Sequence, residues 1–279
     1  TVSSSIVVGD AGKTVMSGPA SGVMAASYTS MQSGYKNVVT YDMGGTSCDV
    51  GLIVDGIPQV TPELEIEYAM PIHVPMVDVH TIGAGGGSLA SVNDAELLQV
   101  GPESAGAEPG PICYGRGGEK PTITDANLVL GRLDQKTLLS VDNPVSMETI
   151  RDLLFKRVGS KLGLDNPEET ASAILKIANT NMAGALRLVS LSRGYDPRDF
   201  ALFSFGGAGP LHAIALAKEL GIPKVLVPMR PGITNAVGCV VADVRHDYVN
   251  SVNTSLAQTN MDQVKKIFSS QIALGKKII

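Results

Sequence analysis

Apolar positions along the chain alternate between short strand-like runs and longer stripes with helical spacing. Residues 18–34 predict a helix, with Pro19 suited to its first turn and Gly34 to a C-terminal cap. Residues 37–41 and 48–54 predict two strands, and Asp55-Gly56 predicts a hairpin turn into a return strand at 57–60. Further strand-type runs occupy 64–70 and 74–80, followed by a glycine-rich stretch at 81–88 that is expected to be a flexible loop. Residues 101–121 are rich in Gly and Pro and are expected to be irregular. Helices are predicted over 124–130, capped by Thr124 or Asp125, over 146–162 from Ser146, and over 166–192 from Asn166-Pro167. A strand at 200–204, a helix at 208–220, a strand at 224–227, a short helix at 232–242, a strand at 244–252 and a helical pattern from Met261 complete the chain. The alternation of strands and helices places the protein in the α/β class.

Composition narrows the classes. At 279 residues the chain can bury one large core or two modest ones. The net charge of −5, without a run of like charge, gives no basic stripe for nucleic acid. No apolar stretch approaches the roughly 20 residues that span a bilayer. Cys48, Cys113 and Cys239 are widely spaced and form neither a metal-type pair nor a disulfide framework, which points to a reducing cytoplasm. The chain starts at Thr1 without an initiator Met and stops within or just after a helical pattern, so a piece of a longer polypeptide is expected.

Two glycine loops carry the candidate chemistry. Asp42-Met43-Gly44-Gly45-Thr46-Ser47 joins two strands. Glycines let backbone approach a phosphate, and Thr46 and Ser47 add hydroxyl donors. On this reading the amides of Gly44, Gly45, Thr46 and Ser47 surround phosphate oxygens, and Asp42 faces Mg²⁺ through its waters. The alternative is a tight turn with an acidic lip. Phe205-Gly206-Gly207-Ala208-Gly209 leads from a strand into a helix, where Gly206, Gly207 and Gly209 either meet a nucleotide or serve close packing. Together the loops suggest ATP held in a cleft. Gly9-Asp10-Ala11-Gly12-Lys13-Thr14 imitates the end of a P-loop, but Val7 stands where its first glycine belongs.

A third candidate is Asp78-Val79-His80 before the glycine run. Alternation along a strand puts Asp78 and His80 on one face, as an acid–base pair, a metal arm, or a histidine that anchors a turn. The catalytic candidates are therefore Asp42, His80 and Asp78, with Asp42 also the candidate metal residue. His212, beside the second loop, could touch a nucleotide, whereas His73 and His246 carry no metal-type spacing. Cys113 is a weak candidate nucleophile. Asp125-Ala126-Asn127 could reach a metal or a substrate amide, or simply cap a helix.

Ser17-Gly18-Pro19-Ala20-Ser21-Gly22, the Asp42 loop, His80-Thr81-Ile82-Gly83-Ala84-Gly85-Gly86-Gly87-Ser88, Pro109-Gly110-Pro111, Thr124-Asp125-Ala126-Asn127 and Phe205-Gly206-Gly207-Ala208-Gly209-Pro210 occur in one order. This set resembles the hydantoinase A/5-oxoprolinase family over about residues 15–250. The resemblance implies the fold of actin, sugar kinases and heat-shock ATPases: a ribonuclease H-like lobe, a mixed sheet flanked by helices, with ATP and Mg²⁺ between two lobes. It implies ATP-dependent opening of a cyclic amide, whose carbonyl is activated by phosphorylation. ATP-dependent ketone carboxylation is the alternative within the family, and a non-catalytic nucleotide-binding fragment is another. It also implies a hydantoinase B-type subunit and the remainder of the chain's own polypeptide as partners. By position, Gly44 to Ser47 match a second phosphate loop, Gly206 to Gly209 an adenosine-side loop, and Gly18 to Gly22 a connecting helix; Cys48 stands where a Thr is frequent. A first phosphate loop, and much of a first lobe, are not found in this sequence. The expected division is 1–36 as connecting helix and end of a first lobe, 37–253 as the second lobe with an insertion near 101–121, and 254–279 as the start of a C-terminal segment. Substrate contacts are expected in 83–88, in 101–118, or on a partner.

Overall fold

The computed structural model describes residues 11–61, 64–65, 71–72, 76–138, 141, 143–243 and 248–278. The elements begin with helix α1 (Ser17–Gln32), strand β1 (Val38–Met43), strand β2 (Cys48–Val54) and strand β3 (Ile57–Pro58). Short ribbon strands β4 (Val60–Thr61), β5 (Leu64–Glu65), β6 (Pro71–Ile72) and β7 (Met76–Val77) lead to β8 (Val79–Ile82), β9 (Ser88–Val92) and β10 (Leu98–Ser104). Helices α2 (Ile123–Val129), α3 (Met147–Arg157) and α4 (Pro167–Leu191) follow, then strand β11 (Ala201–Phe205), helix α5 (Gly209–Leu220), strand β12 (Lys224–Leu226), and helices α6 (Thr234–Val241) and α7 (Met261–Ile278).

The main sheet has the order β3-β2-β1-β11-β12, with β8 also paired to β2. β1 runs parallel to β11 and antiparallel to β2, and β11 runs parallel to β12. β2 alone among the five opposes the others, since β3 is antiparallel to it. The result is a mixed sheet flanked by helices, as the sequence led us to expect. The β2–β3 turn is also as expected: Asp55 and Gly56 have φ of 52° and 79°, the geometry an Asp-Gly hairpin turn requires.

All six residues of β1 are buried because helices cover both faces of the sheet. On one face Val39, Tyr41, Met43, Val50, Leu52 and Leu202 join a core with Ile174, Leu175, Met182 and Leu186 of α4 and Leu216 of α5. On the other, Val38, Ile53, Ala201, Phe203 and Phe205 pack with Val23 and Ala26 of α1. The long α4 starts as read from sequence: Asn166 caps it by accepting from Glu169 N at 2.8 Å, and Pro167 takes the first turn.

Several boundaries differ from expectation. β10 runs through the stretch expected to be irregular and pairs with β9, and a register shift between Val100 and Ser104 absorbs Gly101 and Pro102. Helix α2 is capped by Thr122, not by Thr124 or Asp125: Asp125 N donates to Thr122 Oγ1 at 3.3 Å and the Asp125 carboxylate returns to Thr122 N at 2.9 Å. The helix expected over 146–162 breaks at Arg157 into a tighter turn over Gly159–Leu162. Residues 66–70 and 244–247 of two expected strands, and His73 and His246, lie outside the described residues, while 248–252 is not a strand. Among the described residues no helix is long and apolar enough to cross a membrane.

Candidate functional site

β1, β8 and β11 are parallel, so their carboxyl ends share one edge of the sheet, and the three glycine runs gather there. The first run forms the exposed turn between β1 and β2, closed by Gly44 N donating to Ser47 O at 3.1 Å. Its carbonyls point inward: Gly44 O accepts from Gly86 N at 3.0 Å and Gly45 O from Gly87 N at 2.6 Å. The amides of Gly45 and Thr46 find no acceptor among the described residues and sit on an exposed turn. A backbone with carbonyls tied down and amides free is polarised toward an anion.

The run 84–88 is the opposite of the flexible loop expected from its composition. It is buried, pinned by Thr124 N and Thr124 Oγ1 donating to Gly86 O, each at 2.8 Å, and by Ala105 N donating to Gly87 O at 2.8 Å. A Cβ on Gly85 would lie 2.5 Å from Thr46 N, so glycine here serves contact with the first turn. The second loop folds onto the first in the same way. Ala208 N donates to Met43 O at 3.0 Å, and a Cβ on Gly206 (φ 81°) would fall 2.3 Å from Asp42 Oδ1. Gly206 and Gly209 thus bring the loop in, whereas Gly207 is exposed with open space above it.

Asp42 is 8% exposed and accepts from Asn235 Nδ2 at 2.9 Å. Asn235 escaped the sequence reading because it lies 193 positions away in the chain, on α6. That helix meets α1 so closely that a Cβ on Gly238 would lie 1.7 Å from Ser21 O, and one on Gly22 would lie 2.2 Å from Asn235 Oδ1. Opposite Asp42 in the β1–β2 register stands Asp49, which accepts from Thr81 Oγ1 at 2.5 Å. Burial pushes the Asp42 carboxyl above the ordinary range, the Asn235 bond opposes this, and Asp49 adds to it. Burial raises Asp49 too, against the Thr81 bond. Two facing carboxylates that resist ionisation beside free amides suit a bound cation, whose charge would reverse both shifts. The residues of the turn therefore fit a hydrated divalent ion and a phosphate chain.

Asp78 and His80 do not join Asp42. Cross-strand partners share a face, so the register places Thr81 with Asp49 and Asp42, and His80 with Val50 and Tyr41 on the α4 side. Asp78 pairs with Arg193, just beyond the end of α4. The remaining candidates also have internal roles. His212 is fully buried, with Nδ1 2.7 Å from Asn179 Oδ1 and Nε2 3.4 Å from Asn127 Nδ2. Burial lowers it to about 4, with Arg132 adding to the shift, so it is a neutral core residue and not a nucleotide contact. Asp125 is fully buried and also accepts from Ile112 N at 3.2 Å and Cys113 N at 2.9 Å, which makes it the clamp of the Gly/Pro-rich loop as well as a cap. Burial followed by Asp125 pushes the Cys113 thiol far up, which disfavours a thiolate nucleophile. Cys48, in the core beneath the first turn, is pushed by burial to about 12.

The family model described as hydantoinase/oxoprolinase matches residues 1–248. The chain is 41% identical over 249 residues to the caprolactamase subunit alpha of Pseudomonas jessenii, covering 89% of this chain and 35% of that one. It is 39% identical over 243 residues to the acetophenone carboxylase gamma subunit of Aromatoleum aromaticum, covering 86% of this chain and 33% of that one. The crystal structure of the ATP-dependent caprolactamase from Pseudomonas jessenii superposes with a TM-score of 0.80 at 37% identity, over 92% of this chain and 37% of that chain. Ordered glycine loops, sheet topology and these matches agree that the chain belongs to the hydantoinase/oxoprolinase family.

Proposed function

We propose that this chain is the phosphate-binding lobe of an ATP-dependent enzyme that opens cyclic amides. The observation that carries the reading is the exposed 44–47 turn, with free amides at Gly45 and Thr46, set over the buried carboxylate of Asp42. ATP, when bound, supplies a phosphoryl group that gives an unreactive amide oxygen a leaving group. Gly45 and Thr46 would hold phosphate oxygens through their free amides, Thr46 and Ser47 would add hydroxyls, and Gly44 would shape the turn through its bond to Ser47 O. Asp42, held by Asn235, would face the waters of a bound Mg²⁺. Gly206 and Gly209 let the second loop lie against Met43, and Gly207 offers backbone to the nucleotide from above. Asp78 and His80 are left out of this arrangement, because the register puts His80 on the α4 side and Asp78 pairs with Arg193.

The similarity to an ATP-dependent caprolactamase and the membership of the hydantoinase/oxoprolinase family support a cyclic-amide substrate. The similarity to an acetophenone carboxylase subunit favours a second reading, ATP-dependent carboxylation of a ketone. Both relatives are named as subunits, which supports a partner subunit; the reading takes that partner to be of the hydantoinase B type. The test is ATP turnover by the full-length protein with that partner, using hydantoin, 5-oxoproline and a simple ketone, with and without bicarbonate. Stimulation by a cyclic amide that is lost in Asp42→Ala is the expected result. Stimulation only by ketone plus bicarbonate moves the assignment to a carboxylase, and turnover that survives Asp42→Ala removes the phosphate turn from the site.

A further inference from the structure

The sheet face that looks toward α1 and α6 ends in a polar row. Deeper on that face the set is apolar, with Val38, Ile53 and Val79 packed around Val23 of α1. At its end the register sets Asp42 opposite Asp49, and Asp49 opposite Thr81. Cross-strand partners share a face, so three oxygen-bearing side chains stand in a line on β1, β2 and β8, whose backbones are about 4.8 Å apart from strand to strand. Thr81 has no part in the phosphate-turn reading given above.

Two properties single Thr81 out. It is exposed, and its Oγ1 donates to Asp49 Oδ1 at 2.5 Å, so its hydroxyl proton already rests on a carboxylate. Neither Thr46 nor Ser47 donates to a carboxylate among the described residues. A hydroxyl whose proton is held by a base is the arrangement of an activated oxygen nucleophile. The backbone that carries Thr81 is also fixed on both sides. β8 pairs with β2, and the chain after it is packed so closely that a Cβ on Gly83 would lie 2.8 Å from Pro102 Cβ and one on Gly85 2.5 Å from Thr46 N. Thr46 N is one of the free amides of the phosphate turn, and Ile82, next to Thr81, is the cross-strand partner of Cys48, next to Ser47. The hydroxyl therefore stands beside the turn, on a support that the turn itself helps to hold.

We infer that Thr81 is a phosphoryl acceptor: a nucleoside triphosphate held on the turn, with no organic acceptor beside it, passes its γ-phosphoryl group to Thr81 Oγ1. The inference rests on the phosphate-turn reading and adds a modification site to it. In this step Oγ1 attacks the γ-phosphorus, and the bond from that phosphorus to the β–γ bridging oxygen breaks. The electron pair of the broken bond leaves with the nucleoside diphosphate, and the Thr81 proton passes to the Asp49 carboxylate that already accepts from it. Nothing is oxidised or reduced. The product sets a doubly charged group beside Asp49 and in line with Asp42, and like charges facing one another across strands are unfavourable. Phosphorylated Thr81 thereby weakens the hold of the turn on a further nucleotide, so the mark limits idle consumption of the triphosphate when no substrate is present.

The test incubates the full-length protein with Mg²⁺ and ATP labelled in the γ-phosphate, with no amide or ketone added. The denatured protein is then read by peptide mass spectrometry, and ADP binding to the native protein is titrated in parallel. A single phosphoryl group on Thr81 is expected, formed at a first-order rate that does not depend on protein concentration, as transfer within one molecule requires. Thr81→Val keeps a branched strand side chain without the hydroxyl and is expected to lose the mark, whereas Thr81→Ser restores an acceptor and is expected to carry it. Asp49→Asn keeps the shape of the base but not its basicity, and is expected to slow marking by about tenfold or more. A native protein that binds ADP yet stays unmarked, a mark on another residue, or a marking rate untouched by Asp49→Asn overturns the proposal and leaves the phosphate turn standing. A native protein that neither binds ADP nor takes the mark overturns both.

Discussion

The two faces of the central sheet are made from alternate residues of the same strands, yet they have different chemistry. On the α4 face, Tyr41, Met43, Val50 and Leu52 are fully buried, and among the described residues Tyr41 Oη has only the sulfurs of Met43 and Met182 as hydrogen-bond partners, at 3.0 and 2.8 Å. On the α1/α6 face the same register delivers Asp42 opposite Asp49, with Asn235 reaching in from α6. Successive side chains of a strand point to opposite faces, so one step along β1 separates a sealed core from a pair of carboxylates. Chemistry-bearing residues that are near in sequence need not cooperate. Asp42 and His80 both border glycine runs, but the pleat sends them apart, whereas Asn235, remote in the chain, meets Asp42 directly.

The comparison breaks most visibly through catalysis. Asp42→Ala should lower the ATP turnover of the full-length protein by roughly 10²–10³, whereas His80→Ala should stay within about threefold, because only Asp42 faces the turn. Steady-state kinetics of the two variants decides it, and an equal loss in both would reunite the faces. Gly238→Ala should destabilise the protein by about 3 kcal/mol, because α1 and α6 must separate to admit the methyl group. Thermal or urea unfolding measures this, and a stable variant with Asp42 chemistry intact would show that the close crossing is not needed.

A pH titration probes the buried face. His212 has its folded value lowered to about 4 from 6.5, so the unfolded chain binds the extra proton between those values. Stability from this group is complete above pH 6.5 and is lost as pH falls toward 4, by up to about 3 kcal/mol. Urea midpoints across that window should fall with pH, and His212→Gln should flatten the slope. The smallest effect belongs to the carboxylate face. Asp49→Asn removes one of two like charges set opposite each other and should stabilise the ligand-free protein at neutral pH by about 0.2–1 kcal/mol. Because burial raises both carboxyls, that gain should shrink as pH falls and the native Asp49 takes up its proton. Calorimetry at pH 7 and pH 4 checks the sign.

Much of the architecture was legible because its signals are local. The cap at Asn166, the turn at Asp55-Gly56 and the glycine turn after β1 each follow from the conformational preferences of a few adjacent residues. β10 was not legible, because Gly101 and Pro102 argue against a strand, and a bulge that accommodates them depends on pairing with β9. The buried glycine run was misread for a related reason. Without side chains it has no hydrophobic pattern, and its order comes from carbonyls and amides supplied by Gly44, Gly45, Thr124 and Ala105.

The sequence alone determined the order of the helices and of strands β1, β2, β3, β11 and β12, the family likeness, and the placement of Asp42 and its glycines at a turn, since each depends on residues adjacent in the chain. Only the tertiary structure decided which glycines face open space and which are spacers, which carboxylate has a partner, and which histidine is sealed in the core. These depend on packing between elements up to two hundred residues apart, and a free amide or a raised carboxyl exists only once those elements have met.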